Sequence, residues 1–233
     1  MTAFVLIHGA GDTGWSWHLV AEALVAEGHE VVAPDLPGDD DALTLEDYAD
    51  AAAVAVGNRR GGIVVGHSYG GFTAPLVAER IAADGLVLLA AMIPSPGETP
   101  DQWWDRTGFA AAVEAQAARD GGLTGNPDPF VGFYHDVPRA LAEEALSRER
   151  AHPSQAAMSA PWPLESWPDV ATTMIVCTED RFFPAGFLRA LALERLGIVA
   201  EEIAAGHCAP LSRPDELAGM LIGFAEELHP PIR

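Results

Sequence analysis

Six short, largely apolar runs constrain this chain more than any other feature: residues 3–7, 30–33, 62–65, 86–91, 173–177 and 199–203. None alternates strictly between apolar and polar residues, as a strand with one wet face would. Near-continuous apolarity is what strands buried on both faces require. Between the runs lie helix-compatible stretches at 15–27, 45–56, 70–82 and 184–196, and another closes the chain over 213–228. Strand and helix in alternation predict an α/β fold with a mostly parallel sheet of about six strands flanked by helices.

One region breaks that rhythm. Between Pro94 and Pro168, more than half of the 18 prolines and several tryptophans punctuate two helical patterns, at 101–119 and 137–150. We read residues 94–168 as a small helical cap inserted after the fourth strand of a core formed by residues 1–93 and 169–233. A chain of 233 residues, 49% hydrophobic, is long enough to bury one such core.

Composition removes several function classes. A formal charge of −21 repels phosphate backbones and anionic lipid, so neither nucleic acid nor membrane is expected as a partner. No apolar stretch approaches the ~20 residues that span a bilayer, and a cytoplasmic monomer or homodimer is the expectation. All 13 basic residues are arginine, which rules out Schiff-base chemistry, lysine-held pyridoxal phosphate and a P-loop lysine within these residues. Cys177 and Cys208 lie far apart without metal-ligand spacing and read as core filler. No metal or organic cofactor is expected.

The chemistry concentrates in three segments. Gly66-His67-Ser68-Tyr69-Gly70-Gly71 follows the third apolar run and precedes a helical stretch, the strand-turn-helix setting of a nucleophile elbow. Alone, such a pentapeptide is also compatible with a glycine-softened strand end carrying a surface serine. A serine hydroxyl attacks only when an imidazole accepts its proton, and the imidazole needs an acid to hold its tautomer. His207, in Ala205-Gly206-His207-Cys208-Ala209-Pro210 after the last run, is the candidate base. Asp180, directly after the fifth run and four residues before Pro184, is the candidate acid, with Glu179 its competitor. The remaining histidines read as surface or core residues, with His135 in the cap the one to watch. Backbone amides of Tyr69 and of Ala10, in the loop after the first run, would form an oxyanion hole.

Together, His8-Gly9, Pro34-Asp35-Leu36-Pro37-Gly38, GHSYGG, the Thr178-Glu179-Asp180 segment and GHCAP resemble the α/β-hydrolase superfamily along nearly the whole chain. The HGAGDTGWSWHLVAEAL opening and the EDRFFPAGFLRAL segment look most like the plant methylesterase and hydroxynitrile lyase group and its bacterial relatives. That resemblance implies an α/β-hydrolase fold with a small helical cap. Lyases of the group carry a lysine after the catalytic histidine and a threonine after the first-strand histidine; Cys208 and Gly9 stand here instead. The implied activity is therefore hydrolysis of a small carboxylic ester, or a lactone, through an acyl-enzyme on Ser68. The alternatives are a cofactor-free lyase or cyclase and a non-catalytic ligand-binding protein on the same scaffold. After Pro37-Gly38 the chain has Asp39-Asp40-Asp41 where many relatives have His-Gly.

Two further features bear on function. Gly9-Ala10-Gly11-Asp12-Thr13-Gly14 matches a dinucleotide fingerprint, with Asp35 about 20 residues on. An NAD-dependent reductase, however, leaves Ser68, Asp180 and His207 unexplained, and Trp15 and Trp17 would crowd a pyrophosphate. The cap carries Trp103, Trp104, Phe109, Phe130, Phe133, Tyr134 and Trp162. Any one of these packs a core as readily as a ligand. As a group they predict an apolar pocket, assigned to Trp103, Trp104, Phe133, Tyr134 and Trp162.

Overall fold

The computed structural model describes residues 1–38 and 40–229. Asp39, the first residue of the acidic run, lies outside the described residues. Six strands form one sheet: β1 (Ala3–Ile7), β2 (Glu30–Val32), β3 (Ile63–His67), β4 (Gly85–Leu89), β5 (Ala171–Cys177) and β6 (Glu201–Ile203). Their order is β2-β1-β3-β4-β5-β6 and every pairing is parallel. β3 and β4 are buried along their full length, which is why their sequences show no alternation.

The helices α1 (His18–Ala26), α2 (Leu45–Val56), α3 (Gly70–Ile81), α9 (Ala185–Leu196) and α11 (Pro214–Leu228) flank the sheet, with the short α10 (Ala209–Ser212) before the last. The start of α2 is written locally: Thr44 accepts from the Asp47 amide while the Asp47 carboxylate accepts from the Thr44 amide. The chain leaves β1 toward β2 on one side and returns to place β3 on the other side of β1. Loops at the carboxyl ends of β1 and β3 therefore diverge, opening a crevice where ligands bind in α/β sheets.

Between β4 and β5 run five helices: α4 (Pro100–Arg106), α5 (Phe109–Asp120), α6 (Pro129–Gly132), α7 (Arg139–Ser147) and α8 (Gln155–Ser159). The single pattern read over 101–119 is two helices, because Thr107 ends the first and Gly108 adopts a left-handed conformation (φ 71°) that turns the chain. This segment is tied down at its start. The nearly inaccessible Glu98 carboxylate pairs with Arg195 of α9 at 2.5 Å, and Arg195 also donates to the Ile93 carbonyl. Trp103 and Trp162 are fully buried, donating their indole N–H groups to the carbonyls of Ile93 and Phe72.

Candidate active site

Ser68 follows β3 at φ 53°, a left-handed conformation that a non-glycine residue holds only when its surroundings impose it. The surroundings are tight. A Cβ added at Gly66 would lie 2.7 Å from the Ala74 Cβ, and one at Gly70 would lie 2.9 Å from the carbonyl oxygens of Ile7 and His8. The Ser68 amide donates to Leu89, and its carbonyl accepts from Gly71 and Met92. This turn aims Oγ away from the sheet at the His207 ring.

The Ser68 hydroxyl donates to His207 Nε2 at 3.0 Å, and His207 Nδ1 donates to Asp180 Oδ2 at 2.8 Å. Asp180 Oδ1 accepts from the amides of Phe182 and Phe183 at 2.7 and 3.0 Å, so both carboxylate oxygens are engaged. Asp180, not Glu179, therefore faces the imidazole; the Glu179 side chain is exposed. All three side chains are buried. The rings of Phe133, Phe182 and Phe183 surround His207 at centroid distances of 5.2 to 5.5 Å.

Several positioning residues were not assigned from sequence. His67 donates from Nε2 to the His207 carbonyl at 2.9 Å; burial, aided by nearby His207, lowers its pKa to about 3, so the ring is neutral. His8 donates from Nδ1 to the Gly9 carbonyl and accepts the Leu36 amide at Nε2, joining the His8-Gly9 and Pro34–Gly38 motifs. Asp136 accepts the Gly206 amide at 2.8 Å, and His135 donates to the Glu179 carbonyl at 3.0 Å. A Cβ at Gly206 would lie 2.6 Å from Asp136 Oδ1 and 2.7 Å from His135 Nε2, so this contact requires glycine. The β4–β5 segment thus braces the loops that carry Asp180 and His207. It pairs with the β1 loop as well: the Gly11 amide donates to His152 and the Arg150 amide to Gly11.

Above Ser68 lies a cavity of about 300 Å³. Its floor includes Gly9, Ala10, Ser68, Tyr69 and His207; its walls include Trp104, Phe133, Tyr134 and Phe182. Among the described residues, the amides of Ala10 and Tyr69 donate to no protein group. Of the aromatics assigned to a pocket, Trp104, Phe133 and Tyr134 line this cavity. Trp103 and Trp162 do not, a correction to the sequence reading: their indole N–H groups found carbonyl partners inside the core. The cavity also contains residues the sequence had not marked, notably Asp12, Met92, Glu149, Met158 and Phe182. Cys208 lines it beside His207; burial pushes the thiols of Cys208 and Cys177 up, so both are uncharged.

The Gly9–Gly14 loop satisfies itself. Asp35 accepts the Gly14 amide at 2.8 Å, Thr13 caps the turn Gly14–Trp17, and Trp17 is fully buried against His67. The carboxylate a dinucleotide fold would offer to a ribose is occupied by the loop.

Comparison with known proteins agrees with this architecture. The model of the family described as the alpha/beta hydrolase family matches residues 4–220. Norfluorocurarine synthase 1 from a Strychnos species is 26% identical, with 97% of this chain and 96% of that protein aligned. Methylesterase 7 of Arabidopsis thaliana is 27% identical, with 96% of each chain aligned. The crystal structure of a pyrethroid hydrolase from Sphingobium faniae superposes with a TM-score of 0.74 at 24% identity, covering 97% of both chains.

Proposed function

Because the chain belongs to the alpha/beta hydrolase family, we propose that it is a serine hydrolase cleaving a small carboxylic ester or lactone through an acyl-enzyme on Ser68. One observation carries the proposal: the line Ser68–His207–Asp180, at 3.0 and 2.8 Å, ends on the floor of an apolar cavity.

As Ser68 Oγ attacks the ester carbonyl, His207 Nε2 takes its proton. Asp180 holds the imidazole with Nδ1 protonated and stabilises the imidazolium that forms. The carbonyl oxygen becomes an oxyanion, which the free amides of Ala10 and Tyr69 receive; such donors typically contribute about 3–4 kcal/mol. Imidazolium Nε2–H then protonates the departing alkoxide, and the alcohol leaves. Water repeats the sequence: His207 removes its proton, hydroxide adds to the acyl carbonyl, and Ser68 departs with the proton returned. Ser68, His207, Asp180 and the two backbone amides carry every step of this cycle. Residues 94–168 act as a cap, closing the cavity with Trp104, Phe133 and Tyr134 and selecting the acyl or alcohol group.

The test is nitrophenol release from short and medium acyl esters by the wild type and Ser68→Ala, alongside fluorophosphonate labelling. A burst and turnover with label on Ser68, all absent in the variant, is the expected result. Equal turnover by Ser68→Ala overturns the mechanism.

A further inference from the structure

Acyl transfer leaves two carboxyls in the cavity unused, Glu149 on its exposed side and Asp12 deeper in. Asp12 lies in the loop after β1, two residues beyond Ala10, and lines the cavity with Ser68 and His207. Its carboxyl makes no hydrogen bond or ion pair with another described residue, in contrast to Asp180, Asp136 and Asp35. The walls around it are largely apolar, with Met92, Trp104, Phe133, Met158 and Phe182 among them. A carboxylate without a hydrogen-bond partner in such surroundings is costly to ionise, and only His207, when charged, opposes that cost.

The other charges at the cavity do not supply that partner. Glu149 lines the same cavity from its exposed side and is itself without an ion-pair partner among the described residues. Arginine is absent from the lining, and the chain has no lysine. The remaining titratable groups around Asp12 are His207 and Cys208 after β6, His67 at the end of β3, and Tyr134 in the β4–β5 segment. Cys208 and Tyr134 are pushed up and His67 down to about 3, so these three are uncharged near neutral pH. Charge in the cavity therefore belongs to Asp12, Glu149 and, during turnover, His207. Aromatic faces in the wall add a second attraction for a cation, while both carboxyls oppose an anion.

Building on the acyl-transfer reading, we propose that this cavity selects esters whose acyl or alcohol part carries a cationic amine, with the Asp12 carboxylate as the partner of the ammonium group. Burial, with Glu149 adding to it and His207 opposing it, pushes Asp12 up to about 7. Binding of a cation favours the ionised carboxylate, so selection strengthens as pH rises through that value and weakens below it.

The probe is a matched pair: the nitrophenyl ester of trimethylammonio-pentanoic acid and its isostere with a quaternary carbon in place of nitrogen. The cationic group does not titrate, so any pH dependence of the ratio belongs to the protein. We expect kcat/KM for the cationic ester to exceed that of the isostere by roughly tenfold at pH 8, the ratio falling between pH 8 and 6 and approaching one in Asp12→Asn. A ratio near one in the wild type, or one that survives in Asp12→Asn, overturns the amine proposal while turnover of both esters leaves the acyl-transfer reading standing. Absence of turnover for both, without Ser68 labelling, overturns the acyl-transfer reading instead. Should the variant fail to fold, inhibition of the wild type by butyltrimethylammonium serves: tighter binding at pH 8 than at pH 6 is expected, and pH-independent binding overturns the proposal.

Discussion

The carboxyl edge of the sheet and the β4–β5 segment hold their functional groups by opposite means. At the edge, Ser68, His207 and Asp180 sit on short turns leaving buried strands, and each of the three side chains is held by hydrogen bonds to its neighbours. The segment between β4 and β5 consists of five short helices, and α5 has no fully buried residue. Its order comes from discrete anchors to the rest of the protein, among them Glu98 to Arg195, Trp103, Trp162, Ser154 to Tyr48, and the contacts of His135 and Asp136 to the two loops. Under the proposed function the edge supplies the chemistry and the segment shapes what enters. A rigid turn tolerates no change of geometry, whereas a wall of side chains can be rebuilt residue by residue.

The largest effect should come from the edge itself. Ser68→Ala and Asp180→Asn are expected to lower kcat by roughly 10⁴-fold or more without loss of folding, read by ester turnover together with circular dichroism. Full activity in either would mean that the buried line is merely structural.

Next comes the seam where the two regions meet, a set of neutral histidines. Burial holds His67 of the edge and His152 of the segment at about 3 and lowers His8 as well; the His8 and His152 rings lie 5.0 Å apart. The unfolded chain protonates all three below pH ~6.5, whereas folded His67 and His152 stay neutral until near pH 3 and folded His8 takes its proton at a lower pH than the unfolded chain. Their stabilisation is complete above pH ~6.5 and is lost as pH falls toward 3. Asp12 runs the other way: its folded value of about 7 makes it costly above that pH and neutral below about 4. A thermal-melt series from pH 8 to 4 should show Tm dropping through this window, with Asp12→Asn raising Tm at pH 8 but not at pH 4.

Removing an anchor separates the regions more selectively. Arg195→Met leaves the Glu98 carboxylate buried without its partner and should cost about 3 kcal/mol in urea unfolding. A change below 1 kcal/mol would show that the Glu98–Arg195 pair does not anchor the segment.

Smaller effects distinguish bracing from selection. Asp136→Ala removes the acceptor of the Gly206 amide and should reduce kcat by about tenfold with little change in KM, because the His207 loop loosens. Trp104→Ala should do the reverse, raising KM severalfold for medium acyl esters and sparing kcat, since it removes wall rather than chemistry. If both variants changed the same constant, the division between edge and segment would fail.

Local signals in the sequence were enough to determine much of this protein. Interior parallel strands require apolar runs, and all six strands were readable to within a few residues, the edge strands β2 and β6 being three residues each and less buried. The elbow around Ser68 demands glycine on both sides, and Asp180 and His207 follow strand ends, so their positions carry a recognisable pattern. The fates of Trp103 and Trp104 did not have that property. They are adjacent and chemically identical, yet one donates its N–H into the core and the other faces the cavity. The same holds for Asp136 and Asp12, two aspartates in loops, one bonded to Gly206 and the other facing a cavity with no hydrogen-bond partner among the described residues. A side chain's role there depends on what distant segments bring to it, across 70 residues for Asp136 and Gly206. Periodicity and turn chemistry act over a few residues and could determine the frame; partners, burial and the charge of the cavity were decided only when the tertiary structure closed around it.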